Sequence, residues 1–360
     1  MALDIHTTII GSGSYIPPVI INNNHFLDYK FFDPATRRPF DKGNEEIIEK
    51  FREITNIEER RWCKSDELTS DLGYQAAKDA IESSGIDPES LDFIIAAHNF
   101  GDAFSDNKRS TMVPYVAARI KQKLGLKNPH MFAHDVIAGC PGWVQALIVA
   151  DLYIKSGQYQ RGMVIGADVT SRVADPNDRD AMIFADGAGA VIVQAVNSEE
   201  PVGILSHAMQ TDALEAEFLV MDRSLNPDYP DKDLFIRMQG HKVYVYALTN
   251  VPKVVKRSLQ LAGLTLENVK KVLIHQANEK MDQAILERVF KLYKIKDIPH
   301  DVMPMTINKL GNSSSATVPI LYDLIVKNRL DGHRLVSGEI IIFTSVGAGM
   351  MINSVVYKIP

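Results

Sequence analysis

Residues 84–99 read SGIDPESLDFIIAAHN, and residues 262–277 read AGLTLENVKKVLIHQA. Laid over one another without a gap, 178 residues apart, they share a glycine (Gly85, Gly263), a glutamate (Glu89, Glu267) and several apolar positions. Both end in a short apolar strand. Ahead of the first, residues 71–83 have the spacing of an amphipathic helix; ahead of the second, residues 252–261, headed by Pro252, read the same way. Any two helix–turn–strand units look alike in outline. The matching glycine and glutamate, half a chain apart, favour a sequence that contains itself twice. Helices alternate with short apolar strands along the chain, the pattern of an α/β fold. The reading is therefore two similar halves, residues 1–197 and 198–360, joined near residues 197–201 and facing each other around one site.

Bulk composition narrows the function classes. The 360 residues are 46% hydrophobic and 23% charged, ordinary for a globular protein, with a net charge of −6. That balance carries no footprint for nucleic acid or an anionic membrane. The opening MALDIHTTIIGSGSY has no basic segment followed by an apolar stretch, so no secretory signal is read and a cytoplasmic location is expected. Residues 340–357 carry no charge and are nearly long enough to cross a bilayer. Gly347 and Gly349 interrupt them between β-branched residues, so two buried strands joined by a glycine turn are predicted, and no membrane span. There are two cysteines, Cys63 and Cys140, too few for a disulfide framework or a thiolate metal site.

Cys140 has the surroundings of a nucleophile. A strand-like segment, residues 132–137, precedes it, and an almost wholly apolar helix over 143–154 follows. Pro141 suits the first turn of that helix, where a missing N–H costs nothing. Orphan N–H groups and the positive end of the helix dipole are expected to stabilise a thiolate there. Gly139 and Gly142 on either side let a substrate carbonyl come close to the backbone. A small buried hydrophobe is the competing reading of a free cysteine, and it is the one adopted for Cys63. His275 ends the apolar strand 272–274, and functional groups in α/β folds collect at such strand ends. Asn312 lies in KLGNSSSATVP, between a glycine and small residues leading into a helix from Pro319. Taken singly, each is as well explained as a core histidine and a turn residue. His130 and His134 stand four apart, a metal-ligand spacing on a helix. A loop and a strand are predicted for them, so no metal is expected.

Together, Cys140, His275 and Asn312 resemble the Cys-His-Asn set of the ketoacyl synthase III family. IEERR (57–61), the DGAGA signature within 167–193, HQAN (275–278), the GN-S-S pattern and VGAG (346–349) are similar to that family's motifs. The resemblance implies a thiolase-like fold of duplicated α/β halves, five αβαβα layers with two mixed sheets, and a homodimer. It implies that Cys140 carries an acyl group taken from a thioester. The N–H groups of Cys140 and Ala348 would form the oxyanion hole, and His275 with Asn312 would hold the enolate of a second thioester. Acyl carrier protein and acyl thioesters are the implied partners, with no further cofactor. Val113 (the acyl-pocket gate), Trp143, Arg172, Asn278, Gly347 and Gly349 are the implied substrate-binding residues, and Lys280 the implied carrier-protein contact.

Departures from the family bear on substrate. The tryptophan that clamps coenzyme A in the family is missing from residues 44–61, which leaves a carrier-protein donor at least as favoured. Residues 30–44 form a polar insertion, and residues 100–111 lengthen a loop. Valine at the gate leaves room for a medium or longer acyl chain, and GCPGW replaces the family's usual cysteine motif. The pattern also resembles family members that join two β-ketoacyl chains, as in dialkylresorcinol synthesis. Fatty-acid initiation, or acyl transfer to oxygen or nitrogen, is the alternative.

Overall fold

The computed structural model describes residues 4–105 and 110–360. Its first sheet contains β1 (Asp4–Tyr15), β2 (Phe93–His98), β3 (Phe132–Ile137), β4 (Arg161–Val169) and β5 (Asp186–Ser198). They lie in the order β1-β5-β4-β2-β3. The second sheet contains β6 (Gly203–Thr211), β7 (Val269–Ile274), β8 (Ile340–Gly347) and β9 (Met351–Lys358), in the order β6-β9-β8-β7. From the first edge inward the two orders correspond, and so do the strand senses. The first two pairings are antiparallel and the third is parallel in each sheet. The main helices are α1 (Asn44–Thr55), α2 (Thr69–Ser84), α3 (Gly142–Lys155), α4 (Gly240–Leu261), α5 (Glu279–Leu292) and α6 (Thr317–Val326).

The repeat read from sequence recurs in backbone detail. Gly85 follows α2 at φ 66° and Gly263 follows α4 at φ 69°, left-handed positions that cost glycine nothing. Single helical turns at Pro88–Ser90 and Leu266–Asn268 come next, then β2 and β7. Alternate residues of the strands feed different layers. Ile94 and Ala96 pack with Leu72, Ala76 and Ala80 of α2. Phe93, Ile95 and Ala97 turn inward to Trp143 and Leu147 of α3 and Leu321 of α6, where they meet Leu273, Phe343 and Val355 of the second sheet. Val272, Ile274 and Ile342 point the other way, onto Val251 and Val255 of α4 and Ile285 of α5. The result is five layers, αβαβα. Strands buried on both faces read as unbroken apolar runs, which is why β2 and residues 340–357 stood out. Among the described residues no helix is long and apolar enough to cross a membrane.

Two expectations need correction. The helix read as starting at Pro252 begins twelve residues earlier, at Gly240, and the proline is inside it. Proline removes one backbone bond, to the carbonyl four residues back; that carbonyl, of Leu248, has Arg288 Nη1 at 3.5 Å instead. The 30–44 insertion is not simply polar, because Phe31 and Phe32 are buried (3% and 4% exposed). Phe31 joins a cluster with Phe26, Ile47 and Phe51. Of the lengthened loop at 100–111, Asp102–Ala103 pairs with Ser110–Thr111; residues 106–109 lie outside the described residues.

Candidate active site

Cys140 occupies the turn between β3 and α3. Gly139 takes φ 59°, and Gly142 N–H closes the turn onto Gly139 O at 2.9 Å. A residue with a side chain would be strained at Gly139 and would also strike the β8–β9 turn: its Cβ would lie 3.0 Å from Ala348 Cβ and 3.2 Å from Ala348 N. Gly347 meets the nucleophile turn from the other side. A Cβ there would come within 2.6 Å of Pro141 Cδ and 2.9 Å of Cys140 Cβ. Asn353 Nδ2 donates to Pro141 O at 3.2 Å and ties the same two segments. The predicted juxtaposition of residues 347–349 with Cys140 is thus present.

His275 continues β7 for one residue, donating its N–H to Thr344 O at 2.9 Å, and is buried. Burial pushes its imidazole down to about 4, opposed by the Ser314 backbone, so the ring is neutral at physiological pH. Its Nδ1 is buried and unpartnered. An unpaired lone pair costs less than an unpaired N–H, which favours the tautomer protonated on Nε2. Asn312 is held from both sides: its N–H donates to Ile183 O at 2.9 Å and its carbonyl accepts from Ala185 N at 2.8 Å. Its side-chain Oδ1 accepts the Ser314 N–H at 2.8 Å, leaving the amide NH2 as the end free for a ligand. Ser314 Oγ lies 3.4 Å from Cys140 Sγ. Through its hydroxyl, its N–H and its backbone beside the imidazole, Ser314 touches all three residues read as catalytic.

The cysteine sulfur does not rest as a stabilised thiolate. Burial pushes its thiol up to about 11, only partly offset by the Ser314 hydroxyl. The helix terminus therefore works against desolvation, and the sulfur must lose its proton as it reacts. Cys63 is inert by the same logic: burial raises its thiol further, with Asp186 adding to the effect.

Three polar residues missed in the sequence complete the site. Asp168, at the end of β4, accepts from Asn99 N and Asn99 Nδ2, both at 2.8 Å, and from Ser315 Oγ at 2.6 Å and Ser315 N at 3.1 Å. Asn99 Nδ2 also donates to Ser314 Oγ at 2.7 Å. The signal available was a polar pair, His98-Asn99, directly after the apolar strand 93–97, the same logic that selected His275.

Other predicted residues fall elsewhere. Arg172 lines a separate cavity of about 270 Å³ with Trp62 and Ser171, where it donates to Ala103 O at 2.7 Å and to Lys64 O at 2.6 Å. The arginine on the cleft beyond His275 is Arg179. That cleft, a cavity of about 400 Å³, is also lined by Lys50, His241, Ala277, Asn278 and Met281. Trp143 lines no cleft: it is fully buried, edge-on to Phe343, with Nε1 donating to Val164 O at 3.4 Å. Asn278 caps α5 by accepting from Met281 N at 3.1 Å. Lys280 is exposed in the first turn of that helix. Val113 is 88% exposed. His130 sits in a turn and His134 in β3.

A turn-borne cysteine, a strand-end histidine and a clamped asparagine, set between duplicated halves, define a thiolase-type acyl-thioester enzyme. Two family models, 3-oxoacyl-[acyl-carrier-protein] synthase III and its C-terminal counterpart, match residues 134–213 and 259–359, together just over half of the chain. The 3-oxoacyl-[acyl-carrier-protein] synthase III of Aquifex aeolicus VF5 is 29% identical over 98% of this chain and 99% of its own, with a TM-score of 0.79. The β-ketoacyl-[acyl carrier protein] synthase III of Thermus thermophilus is 28% identical over 98% and 99%, with a TM-score of 0.78. OleA of Xanthomonas campestris, solved with lauric acid and lauroyl-CoA, shares the fold at 15% identity over 98% and 99%, with a TM-score of 0.76. The chain belongs to the ketoacyl synthase III family of condensing enzymes.

Proposed function

We propose that this chain joins two acyl thioesters through a carbon–carbon bond, with Cys140 as the acyl carrier and a medium or long acyl chain as its load. The observation that carries the reading is the meeting of Cys140, His275 and Asn312 around Ser314. Cys140 Sγ attacks the first thioester carbonyl, and the departing thiol takes up the proton the cysteine gives up. The oxyanion of that step is held by the N–H groups of Cys140 and Ala348. When a second thioester forms its enolate, by losing CO2 from a β-carboxyl or a proton from its α-carbon, the enolate oxygen receives hydrogen bonds from His275 Nε2 and Asn312 Nδ2. Its carbon then attacks the acyl group, and the Cys140 thiolate leaves.

Three features support a specialised long-chain condensation, of the kind that makes dialkylresorcinols. Val113 is 88% exposed on its own chain, and it would reach the acyl site of a partner copy in a homodimer. The about 400 Å³ cleft beyond His275 carries Lys50 and Arg179 and no tryptophan, which suits a phosphopantetheine arm on an acidic carrier protein, with Lys280 beside it. The fold is shared with an enzyme that holds lauroyl-CoA. Fatty-acid initiation is the second reading, favoured by the two thermophile synthases at 28–29% identity.

Intact-protein mass spectrometry with thioesters of graded length, on coenzyme A and on carrier protein, separates them. A long-chain adduct that vanishes in Cys140→Ala supports the proposal. An adduct with acetyl alone selects initiation, and no adduct from any donor removes Cys140 from its role.

A further inference from the structure

Ser314 sits in a buried stretch, residues 311–320, in an uncommon backbone conformation. It takes φ 53°, a left-handed position that serine adopts at a cost, and is 3% exposed. The bonds around it have a direction. Burial raises the Asp168 carboxyl, opposed by the hydrogen bonds from Ser315 and Asn99; as a carboxylate it can only accept, and its four hydrogen bonds all come from Asn99 and Ser315. The amide orientation of Asn99 is therefore fixed, since the flipped form would set its oxygen against the carboxylate. One hydrogen of Asn99 Nδ2 serves Asp168 and the other serves Ser314 Oγ at 2.7 Å. Ser314 thus receives a hydrogen bond from Asn99, and its own proton has Cys140 Sγ, at 3.4 Å, as acceptor. The strand end bearing Asn99 is itself braced, with His98 Nε2 on Asp135 Oδ2 at 2.8 Å and His98 Nδ1 accepting from Gly101 N at 2.9 Å.

We propose that Asp168, Asn99 and Ser314 form a one-way hydrogen-bond relay that keeps the Ser314 hydroxyl pointed, as a donor, at the Cys140 sulfur. Ser314 and Asn99 are positioning residues: neither contacts the reacting carbon, and both act through Sγ. A thiolate accepts a hydrogen bond far better than a thioester sulfur. The relay therefore stabilises the two states in which Cys140 is free, before acylation and as the leaving group of condensation, and releases the sulfur between them. It offsets the desolvation that holds the resting sulfur as a thiol.

This inference rests on Cys140 as the nucleophile, yet its test reads the sulfur without any acyl substrate. In full-length protein, the rate of iodoacetamide alkylation at Cys140 is followed against pH by peptide mass, which separates it from Cys63. Ser314→Ala and Ser314→Gly are expected to move the alkylation midpoint upward by about one pH unit, a roughly tenfold loss of thiolate at fixed pH. Glycine accepts φ 53° without strain, so agreement between the two variants assigns the shift to the hydroxyl. Asn99→Ala and the acceptor-only Asn99→Asp are expected to shift the midpoint in the same direction by a smaller amount. A purely structural role would lower melting temperature and leave the midpoint alone. An unchanged midpoint in a folded Ser314→Gly protein overturns the relay, and a shift in Ser314→Gly with none in a folded Asn99 variant overturns its direction by Asn99. Should neither Asn99 variant fold, Ser314→Gly decides.

Discussion

Gly347→Ala probes the join between the two halves at its tightest point. Gly347 has φ −175° and ψ −152°, extended backbone open to any residue, so the added methyl acts only through space. Its carbon would sit 2.6 Å from Pro141 Cδ, 2.9 Å from Cys140 Cβ and 3.1 Å from Cys140 N. Carbon atoms rest at about 3.5–4.0 Å, so β8 and the nucleophile turn must part by roughly 1 Å. The clashing atoms are a proline ring carbon, a Cβ fixed to its backbone and a backbone nitrogen, and none can swing aside. Overpacking of this kind costs about 1–3 kcal/mol of stability, which a family-sized core survives. The expected catalytic cost is larger, because the displaced turn carries Sγ and the N–H proposed for the oxyanion hole away from Ala348. Misplacement on the order of 1 Å costs about a hundredfold in rate. Single-turnover acylation, followed by intact mass, is the assay, with thermal melting as the check on folding. A folded Gly347→Ala protein that acylates within threefold of the parent would refute the packing argument and the placement of Ala348 at the oxyanion.

Other outcomes follow from the same geometry. His275 is depressed to about 4 from 6.5, so between these values the unfolded chain binds the proton more readily than the folded one. Stability is complete above pH 6.5 and falls as pH drops toward 4, by at most about 3 kcal/mol; chemical denaturation across that window should show a shallower fall in His275→Gln, and an equal fall would discard the assignment. Arg60 is fully buried, donating to Met182 O at 3.0 Å, Ile21 O at 3.1 Å and Asn23 Oδ1 at 2.8 Å. Arg60→Leu leaves those acceptors unpaired and should cost about 3–5 kcal/mol in a urea titration; a loss below 1 kcal/mol would contradict this. Trp143→Phe should cost about 1–2 kcal/mol and leave acyl-length preference unchanged, whereas a changed preference would restore Trp143 to the pocket.

How much could be read in advance depended on whether burial or partnership decided the outcome. Residues 93–97 and 143–154 were legible because a strand covered on both faces and a central helix demand nearly unbroken apolar runs, and the glycines at 85 and 263 announced their turns. Helix α4 was half-missed because Val243, Tyr244, Val245 and Tyr246 look strand-like and Pro252 looks like a start; packing against the second sheet overrides both signals. Arg172 and Arg179 lie seven residues apart in one motif. Which of them faces the cleft depended on the carbonyls of residues 64, 65 and 103, whose positions no local pattern records. Asp168 and Ser314 were invisible for the same reason, being polar residues from distant segments that gain meaning only as neighbours, whereas Asn99 carried a strand-end signal whose partners no local pattern names.

The topology also dictates when the molecule can become reactive. β9, residues 351–358, lies between β6 and β8, and Tyr357 reaches across to β1, where its hydroxyl accepts the Ile9 N–H at 2.8 Å. The bulge that frees that N–H lies between Ile9 and Gly11. A growing chain therefore exposes its nucleophile more than two hundred residues before the strand that seats the opposing turn has been made. Until then the inner face of the first sheet has α3 but not the second sheet against it, and the sulfur lacks the turn proposed to complete its oxyanion site. Synthesis of β9 is expected to arm the enzyme, so a product truncated before residue 351 is expected to be chemically silent rather than partly active.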